Sequence, residues 1–462
     1  MKAIDYGVLG VIFALRFAAI VFPGNLLQTD PDGYLRLANT LVDAGVYGLL
    51  DDAGIPQATA YRPPFYPLLL AATLWCSGSA SLWAIAALHA SLATLSAALL
   101  LNIARSLQLR SALLTCLLFS LDPLLIRQSQ LIMTETAATT LGLFSWWLLI
   151  AQERSGQLNT PASQSPLSKW ALSILIGFSF GIATLTRPTA AVWLVLVIAY
   201  DLIRASRLHK SSIQSSPQYT LPKAVQKSAW YLIGFTIVLT PWIARNQDCF
   251  GKPIWATTHG GYTLLLANNP ILYDHFAAGS VSRDWDEDQF HHWWQERREN
   301  DRARPAYTQH HREVLEDQLA QSLAIETIKN RPWIFAWSSI LRVGWLWTPL
   351  PNPRPDSWIK WPIATWYLAL YTLAFLGAWS LGRSNGSTPW WIGWSLLISL
   401  TFVHSIYWSN MRMRAPALPL LYLLAAQYLA SVPNLKSRFS LGTNRDTSTP
   451  PTKEERPVLG RC

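Results

Sequence analysis

The chain has 462 residues, of which 51% are hydrophobic and 14% charged, and it carries a formal net charge of +10. Roughly a quarter of the residues of a soluble globular domain are charged, so this composition excludes an ordinary water-soluble fold. Most of the positive charge lies in short connections and tails beside apolar blocks. That placement points to membrane topology and lipid phosphate and away from nucleic acid.

The apolar residues gather in blocks of about 17 to 25, long enough at about 1.5 Å per residue to cross the hydrocarbon of a bilayer. In chain order the expected spans are 4–22, 82–104, 110–127, 132–151, 170–186, 188–204, 228–244, 361–380, 389–408 and 415–431. The first lacks a small-residue cleavage pattern before Gly24 and reads as an uncleaved span, not a signal peptide. Trp83, Trp170, Trp242, Trp361 and Trp390 mark block ends, where an indole favours the headgroup layer. Two shorter pieces, 65–80 and 332–349, are interrupted by Gly or Pro and are placed at the interface. The fold class is therefore an all-α polytopic membrane protein with about 10–12 transmembrane helices, made of a multi-span domain over 1–438 and a disordered cytoplasmic tail over 439–462.

With both termini in the cytoplasm, Arg105, Arg110, Arg204, Arg207, Lys210, Lys223, Lys227, Arg383, Lys436 and Arg438 all fall inside, as the positive-inside rule asks. The same arrangement puts two polar loops outside, 23–64 and 245–330. The first holds Asp30, Asp32, Asp43, Asp51 and Asp52, with a short helix expected over 33–44. The second is turn-rich at Gly260-Gly261 and Asn268-Asn269-Pro270. It ends in a helical pattern with Val314, Leu315, Leu319 and Ile325 on one face and Glu313, Glu316 and Asp317 among them. Segments 156–168 and 211–222 are rich in Ser, Thr, Pro and Gln and read as flexible loops. The four cysteines show no metal-ligand spacing and suggest no disulfide.

Six arginines fall at the outer face against the charge bias: Arg62, Arg127, Arg187, Arg245, Arg412 and Arg414. Singly, each is as well explained by snorkelling to headgroups. Together they imply a bound anion or buried carboxylates. Arg412 and Arg414 are the strongest pair, because on an extended segment residues i and i+2 point the same way and would grip one phosphate with two planar forks. Asp30 and Asp32 follow the first span closely. Asp32 has an alternative job at the start of the helix after Gly33, whereas Asp30 has no comparable one. Glu135 lies at the outer end of an apolar block and needs a cationic partner, as a structural ion pair or as part of a site. His291-His292 and His310-His311 are adjacent pairs without zinc-ligand spacing, and His259 is a minor candidate more readily placed on a loop surface.

Several motifs in this order carry a resemblance. They are Asp30-Pro31-Asp32-Gly33-Tyr34; Arg62-Pro63-Pro64-Phe65-Tyr66-Pro67; Thr134-Glu135; Thr186-Arg187-Pro188; Pro241-Trp242-Ile243-Ala244-Arg245-Asn246; Gly260-Gly261-Tyr262 leading to Asn268-Asn269-Pro270; and Arg412-Met413-Arg414-Ala415-Pro416. The chain resembles the bacterial branch of the dolichyl-phosphate-mannose protein mannosyltransferase-like superfamily, polyprenyl-phosphate-sugar-dependent glycosyltransferases of the GT-C fold. The resemblance implies inverting transfer of a sugar from a polyprenyl-phosphate carrier to a lipid, glycan or protein acceptor at the non-cytoplasmic face of the cell membrane. It implies a base or acceptor-orienting carboxylate at Asp30, with Asp32 as the fallback, although Pro31 stands where many relatives carry a second acid. Arg62, Arg245, Arg412 and Arg414 would hold the carrier phosphate, and Tyr66, Glu135, Arg187, Asn246, Tyr262 and Asn269 would shape the site. Neither a cofactor nor a metal is required. The alternatives are a lipid-linked saccharide transporter or a noncatalytic scaffold of the same fold.

Overall fold

The structure, a computed structural model, describes residues 2–22, 27, 29–78, 81–157, 166–210, 220–302, 312–351, 358–382 and 388–440. Apart from residues 439 and 440, which are helical, the tail expected over 439–462 lies outside the described residues, as do most of the two loops over 156–168 and 211–222.

Every span expected from the sequence falls on helix. Helix α1 covers Ala3–Val21, α2 Tyr34–Ala44, α3 Phe65–Ser77, α4 Leu82–Ser106, α5 Ala112–Ser120, α6 Pro123–Ser129 and α7 Glu135–Gln157. They are followed by α8 Pro166–Thr184, α9 Thr189–Lys210, α10 Leu221–Phe250, α11 Gly260–Ala267, α12 Pro270–Ala277, α13 Glu287–Arg302, α14 Arg312–Asn330 and α15 Pro332–Trp347. Helices α16 Lys360–Leu381 and α17 Thr388–Ile406, a 3₁₀ turn Met411–Ala417 and α18 Leu418–Ser440 are the last of the described elements. A small antiparallel hairpin, β1 Gly48–Leu50 with β2 Pro56–Ala58, pairs Gly48 with Ala58 and Leu50 with Pro56.

Among the described residues α1, α4, α9 (through Arg207) and α16 are each long and apolar enough to cross a membrane unaided. Helices α5 and α6 together make a fifth candidate, bent by 54°. The bend has a local cause. Asp122 caps α6 by accepting the Leu125 amide at 2.9 Å, and Pro123 at the first position suits a helix start and not a continuation. The remaining long helices carry charged residues or tryptophan along their length. At 13 and 16 residues, α3 and α15 are shorter than the ~20 residues a span needs.

The largest apolar core joins α4, α5, α7, α8, α9, α16, α17 and α18, with Trp146, Phe180, Trp193 and Tyr367 at its centre. Helices α8 and α10 pack backbone to backbone because Gly177 and Gly234 present no Cβ to the Tyr231 and Ile174 carbonyls. A second core joins α11–α15 through Leu265, Leu272, Phe290, Trp294, Ala320 and Trp345. The two polar segments meet at one end of the bundle. Glu313 of α14 accepts from Thr59 Oγ1 at 2.6 Å and from the Ala60 amide at 2.9 Å, and also from Thr258 Oγ1. Glu313, expected merely as a polar member of a helical pattern, is thus the pin between the two polar segments, while Asp317 ties α14 to Gly261 at the start of α11 within the second.

Candidate functional site

The site is built where the chain leaves α1. Gly33 adopts φ +76°, a left-handed conformation that other residues reach only with strain, and it turns the chain into α2. Asp30 sits over that turn. Its carbonyl accepts the Gly33 amide at 3.2 Å and its Oδ2 accepts the Arg36 amide at 3.0 Å. The sequence reading put the helix-start role on Asp32 and none on Asp30, and the structure reverses it, because the left-handed turn swings Asp32 away from the helix. The second oxygen of Asp30, Oδ1, is buried and accepts no hydrogen bond among the described residues.

Asp32 faces two arginines. Arg62 Nη2 donates to its Oδ1 at 2.9 Å, and Arg62 Nε donates to its carbonyl at 3.0 Å. Arg412 Nη2 lies 3.6 Å from Asp32 Oδ2, while Arg412 Nε lies 3.6 Å from Glu135 Oε1. Arg187 Nη1 approaches the same Glu135 oxygen at 3.2 Å. Three guanidiniums therefore share two carboxylates at the ends of α1, α7, α8 and the 3₁₀ turn. Arg412 Nε and Arg187 Nη1 make no hydrogen bond among the described residues, and Glu135 Oε2 accepts none. Cations in excess over carboxylates, with unused planar donors, suit a phosphate that can be gripped through paired oxygens. No cluster of three or more His, Cys, Asp or Glu among the described residues is arranged to hold a metal ion.

Other expected site residues lie elsewhere. Residues 411–417 form a 3₁₀ turn, not an extended strand, and at three residues per turn i and i+2 diverge. Arg414 consequently points into the bundle, fully buried, where Nη1 donates to the Leu346 carbonyl at 3.2 Å and the Thr348 carbonyl at 2.5 Å and the guanidinium lies 4.2 Å over the Tyr367 ring. Arg245 spends its donors on the Thr59 carbonyl (2.9 Å), the Tyr47 carbonyl (2.7 Å) and Asn246 Oδ1 (2.8 Å), and Asn246 Nδ2 donates to the Ile254 carbonyl at 2.9 Å. Asn269 caps α12 through the Leu272 amide at 2.8 Å. Tyr66 is buried behind Tyr34, its hydroxyl 2.8 Å from His89 Nε2. Arg127 is exposed on α6.

A cavity of about 330 Å³ opens beside Tyr61, and His259 and Tyr262 line it. His259 lies against Tyr61 at 4.6 Å and Tyr262 at 5.0 Å, not on an open loop surface. Burial, with help from the Arg62 charge, lowers its pKa to about 3 and keeps it neutral. Burial pushes the Glu313 and Asp317 carboxyls above their usual range, against the hydrogen bonds they accept.

With the geometry in hand, comparison with known proteins bears on the fold. The archaeal oligosaccharyltransferase AglB from Archaeoglobus fulgidus, in complex with an inhibitory peptide and a dolichol-phosphate, superimposes with a TM-score of 0.57 at 12% identity over 97% of this chain and 53% of that one. The chain has the GT-C fold. The Archaeoglobus fulgidus oligosaccharyltransferase tethered to an acceptor peptide containing the NVT sequon gives a TM-score of 0.56 at 12% identity over 96% of this chain and 51% of the other. The chain thus spans about half the length of these enzymes, and at this identity the likeness speaks for the fold alone. ArnT from Cupriavidus metallidurans bound to undecaprenyl phosphate aligns over 95% of this chain and 79% of its own at 14% identity, with a TM-score of only 0.36. The family model for dolichyl-phosphate-mannose-protein mannosyltransferase matches residues 60–244, less than half of the chain. No curated protein matches in sequence.

Proposed function

We propose that this GT-C protein moves a sugar from a polyprenyl-phosphate carrier to an acceptor at the non-cytoplasmic face of the cell membrane, with both termini in the cytoplasm. The observation that carries the reading is the Asp32–Arg412–Glu135–Arg187 chain with Arg62 at its end, beside a buried carboxylate oxygen of Asp30 that accepts no hydrogen bond among the described residues. The arginines would take the carrier phosphate, with its prenyl tail left in the bilayer. An acceptor hydroxyl or amine attacks the anomeric carbon, the bond from that carbon to the phosphate oxygen breaks, and the electron pair leaves on the phosphate. The guanidiniums stabilise the added negative charge where it develops. The acceptor proton goes to Asp30 Oδ1. Asp32 suits that role less well because both of its oxygens already face arginines, which leaves neither open to an acceptor.

The test is Asp30→Asn, assayed with a polyprenyl-phosphate sugar for release of polyprenyl phosphate. Loss of transfer by about 100-fold or more, in line with removal of a general base, is expected with carrier binding retained. Transfer at the wild-type rate refutes the role of Asp30. Movement of intact carrier across liposomes without release of phosphate supports a transporter instead.

A further inference from the structure

The cavity beside Tyr61 is walled by the rings of Tyr61, His259, Tyr262 and Trp294 and floored by carboxylates of α14. Its volume of about 330 Å³ lies at the lower end of the ~300–1,000 Å³ of small-molecule pockets, a fit for a compact ring and not for an extended chain. Tyr262 stands 5.0 Å from His259 and 6.1 Å from Trp294, so the rings form one continuous apolar wall. Opposite polarity is supplied by Asp317. Its Oδ1 accepts the Gly261 amide at 2.7 Å and the Tyr262 amide at 3.4 Å, which leaves Oδ2 with no partner among the described residues. Glu313 and Glu316 complete the floor, the latter held by Arg302 and by Arg312 at 3.1 Å.

Adjoining aromatic rings beside planar acceptors match a pyranose, whose C–H face lies on an aromatic while its hydroxyls donate to carboxylate oxygens. A phosphate headgroup is disfavoured by the three carboxylates. A cationic amine is less well matched than a hydroxyl, because Arg298 stands in the same wall and Glu316 is already engaged by Arg302 and Arg312. Tyr61 connects this chamber to the arginine cluster. Its hydroxyl is 3.1 Å from Arg62 Nη2 and its ring lies 4.3 Å under the Arg62 guanidinium, while His259 packs on it from the cavity side.

We infer that this cavity is a carbohydrate subsite that seats a neutral sugar ring of a glycan acceptor on Tyr262 and Trp294, with hydroxyls donated to Asp317. Naming the sugar as acceptor rests on the transferase reading above, whereas the binding itself does not. A ring seated there places the next hydroxyl-bearing residue of the glycan toward Tyr61 and the Arg62–Asp32 pair.

Saturation-transfer NMR on the full chain in nanodiscs tests this without carrier present. The probes are methyl hexopyranosides and a neutral trisaccharide, with phosphoethanolamine and a neutral tetrapeptide as competitors. Saturable sugar binding is expected, weakened about tenfold or more in Tyr262→Ala and Trp294→Ala, as for loss of an aromatic anchor, and retained in Tyr262→Phe. Unchanged thermal unfolding shows that the alanine variants still fold, and the phenylalanine variant keeps the test valid if they do not. No signal from any sugar, signal only from phosphoethanolamine or the peptide, or sugar binding indifferent to the ring variants overturns the subsite. Carrier turnover in the same preparation separates the two readings. Turnover without sugar binding sinks the subsite and leaves the transferase, while sugar binding lost in Tyr262→Ala with wild-type transfer in Asp30→Asn sinks the catalytic reading and leaves the subsite.

Discussion

Arg412 and Arg414 stand two residues apart, and alanine at each should fail in a different way. Removing the Arg412 side chain takes away a guanidinium 3.6 Å from both Asp32 and Glu135, yet each carboxylate keeps another partner, Arg62 at 2.9 Å and Arg187 at 3.2 Å. Both pairs it loses are long; the one with Asp32 is partly solvated, and the one with the buried Glu135 leaves Arg187 in place, so the cost to folding is about 1–2 kcal/mol. What it removes from a bound phosphate is a charge-assisted hydrogen-bonding fork, roughly 1.5–3 kcal/mol, or about 10- to 100-fold in carrier dissociation constant. Arg414→Ala does the opposite. It leaves the Leu346 and Thr348 carbonyls without their buried donor and opens space under Tyr367, a stability loss of about 2–4 kcal/mol from unpaired acceptors and lost ring contact. Titration of nanodisc-held protein with undecaprenyl phosphate, beside thermal unfolding of the same samples, reads both quantities. Wild-type carrier affinity in Arg412→Ala, or weakened carrier binding with unchanged unfolding in Arg414→Ala, would refute the division of labour.

Two further outcomes follow from the polar end of the bundle. A Cβ at Gly261 would meet the Asp317 carbonyl well inside van der Waals contact. Gly261→Ala should therefore force α11 off α14 at a cost of about 1–3 kcal/mol, and limited proteolysis should then cut between residues 251 and 330 faster than in the wild type. His259 is held neutral with its pKa lowered to about 3 from 6.5, so the unfolded chain binds the extra proton between those values. Its contribution is full above pH 6.5 and is lost as pH falls toward 3, at up to about 1.4 kcal/mol per pH unit. Glu313 and Asp317 titrate with the opposite sign and are common to both proteins, so thermal midpoints of wild type and His259→Gln should converge on acidification through that window. Parallel curves would contradict a half-buried imidazole held neutral.

Much of the architecture was readable from periodicity and composition, since helices in lipid satisfy their own backbone and leave a contiguous apolar signature. Asp32, Glu135, Arg62, Arg187 and Arg412 could be singled out because charge near the end of an apolar block is costly without a partner. Asp122 was missed. It is a buried carboxylate that caps α6 and accepts from Tyr367 at 2.9 Å and Tyr422 at 2.7 Å, and the signal available was Asp-Pro inside an apolar block. Glu313 and Asp317 do lie on the helix their surroundings suggested, but their role as acceptors went unread, because their partners at Thr59, Ala60 and Gly261 are far away in sequence.

By itself the sequence determined that the chain is helical and built for a bilayer, and which arginines and acids stand at apolar block ends, because local period and local charge are properties of neighbouring residues. Only the tertiary structure decided which of them meet. The 3₁₀ turn sends Arg412 to Asp32 and Glu135 and Arg414 into the core, and the left-handed Gly33 gives Asp30 the helix start and Asp32 the arginines. Direction of a side chain depends on backbone turn geometry and on partners up to hundreds of residues away, and neither is written in spacing.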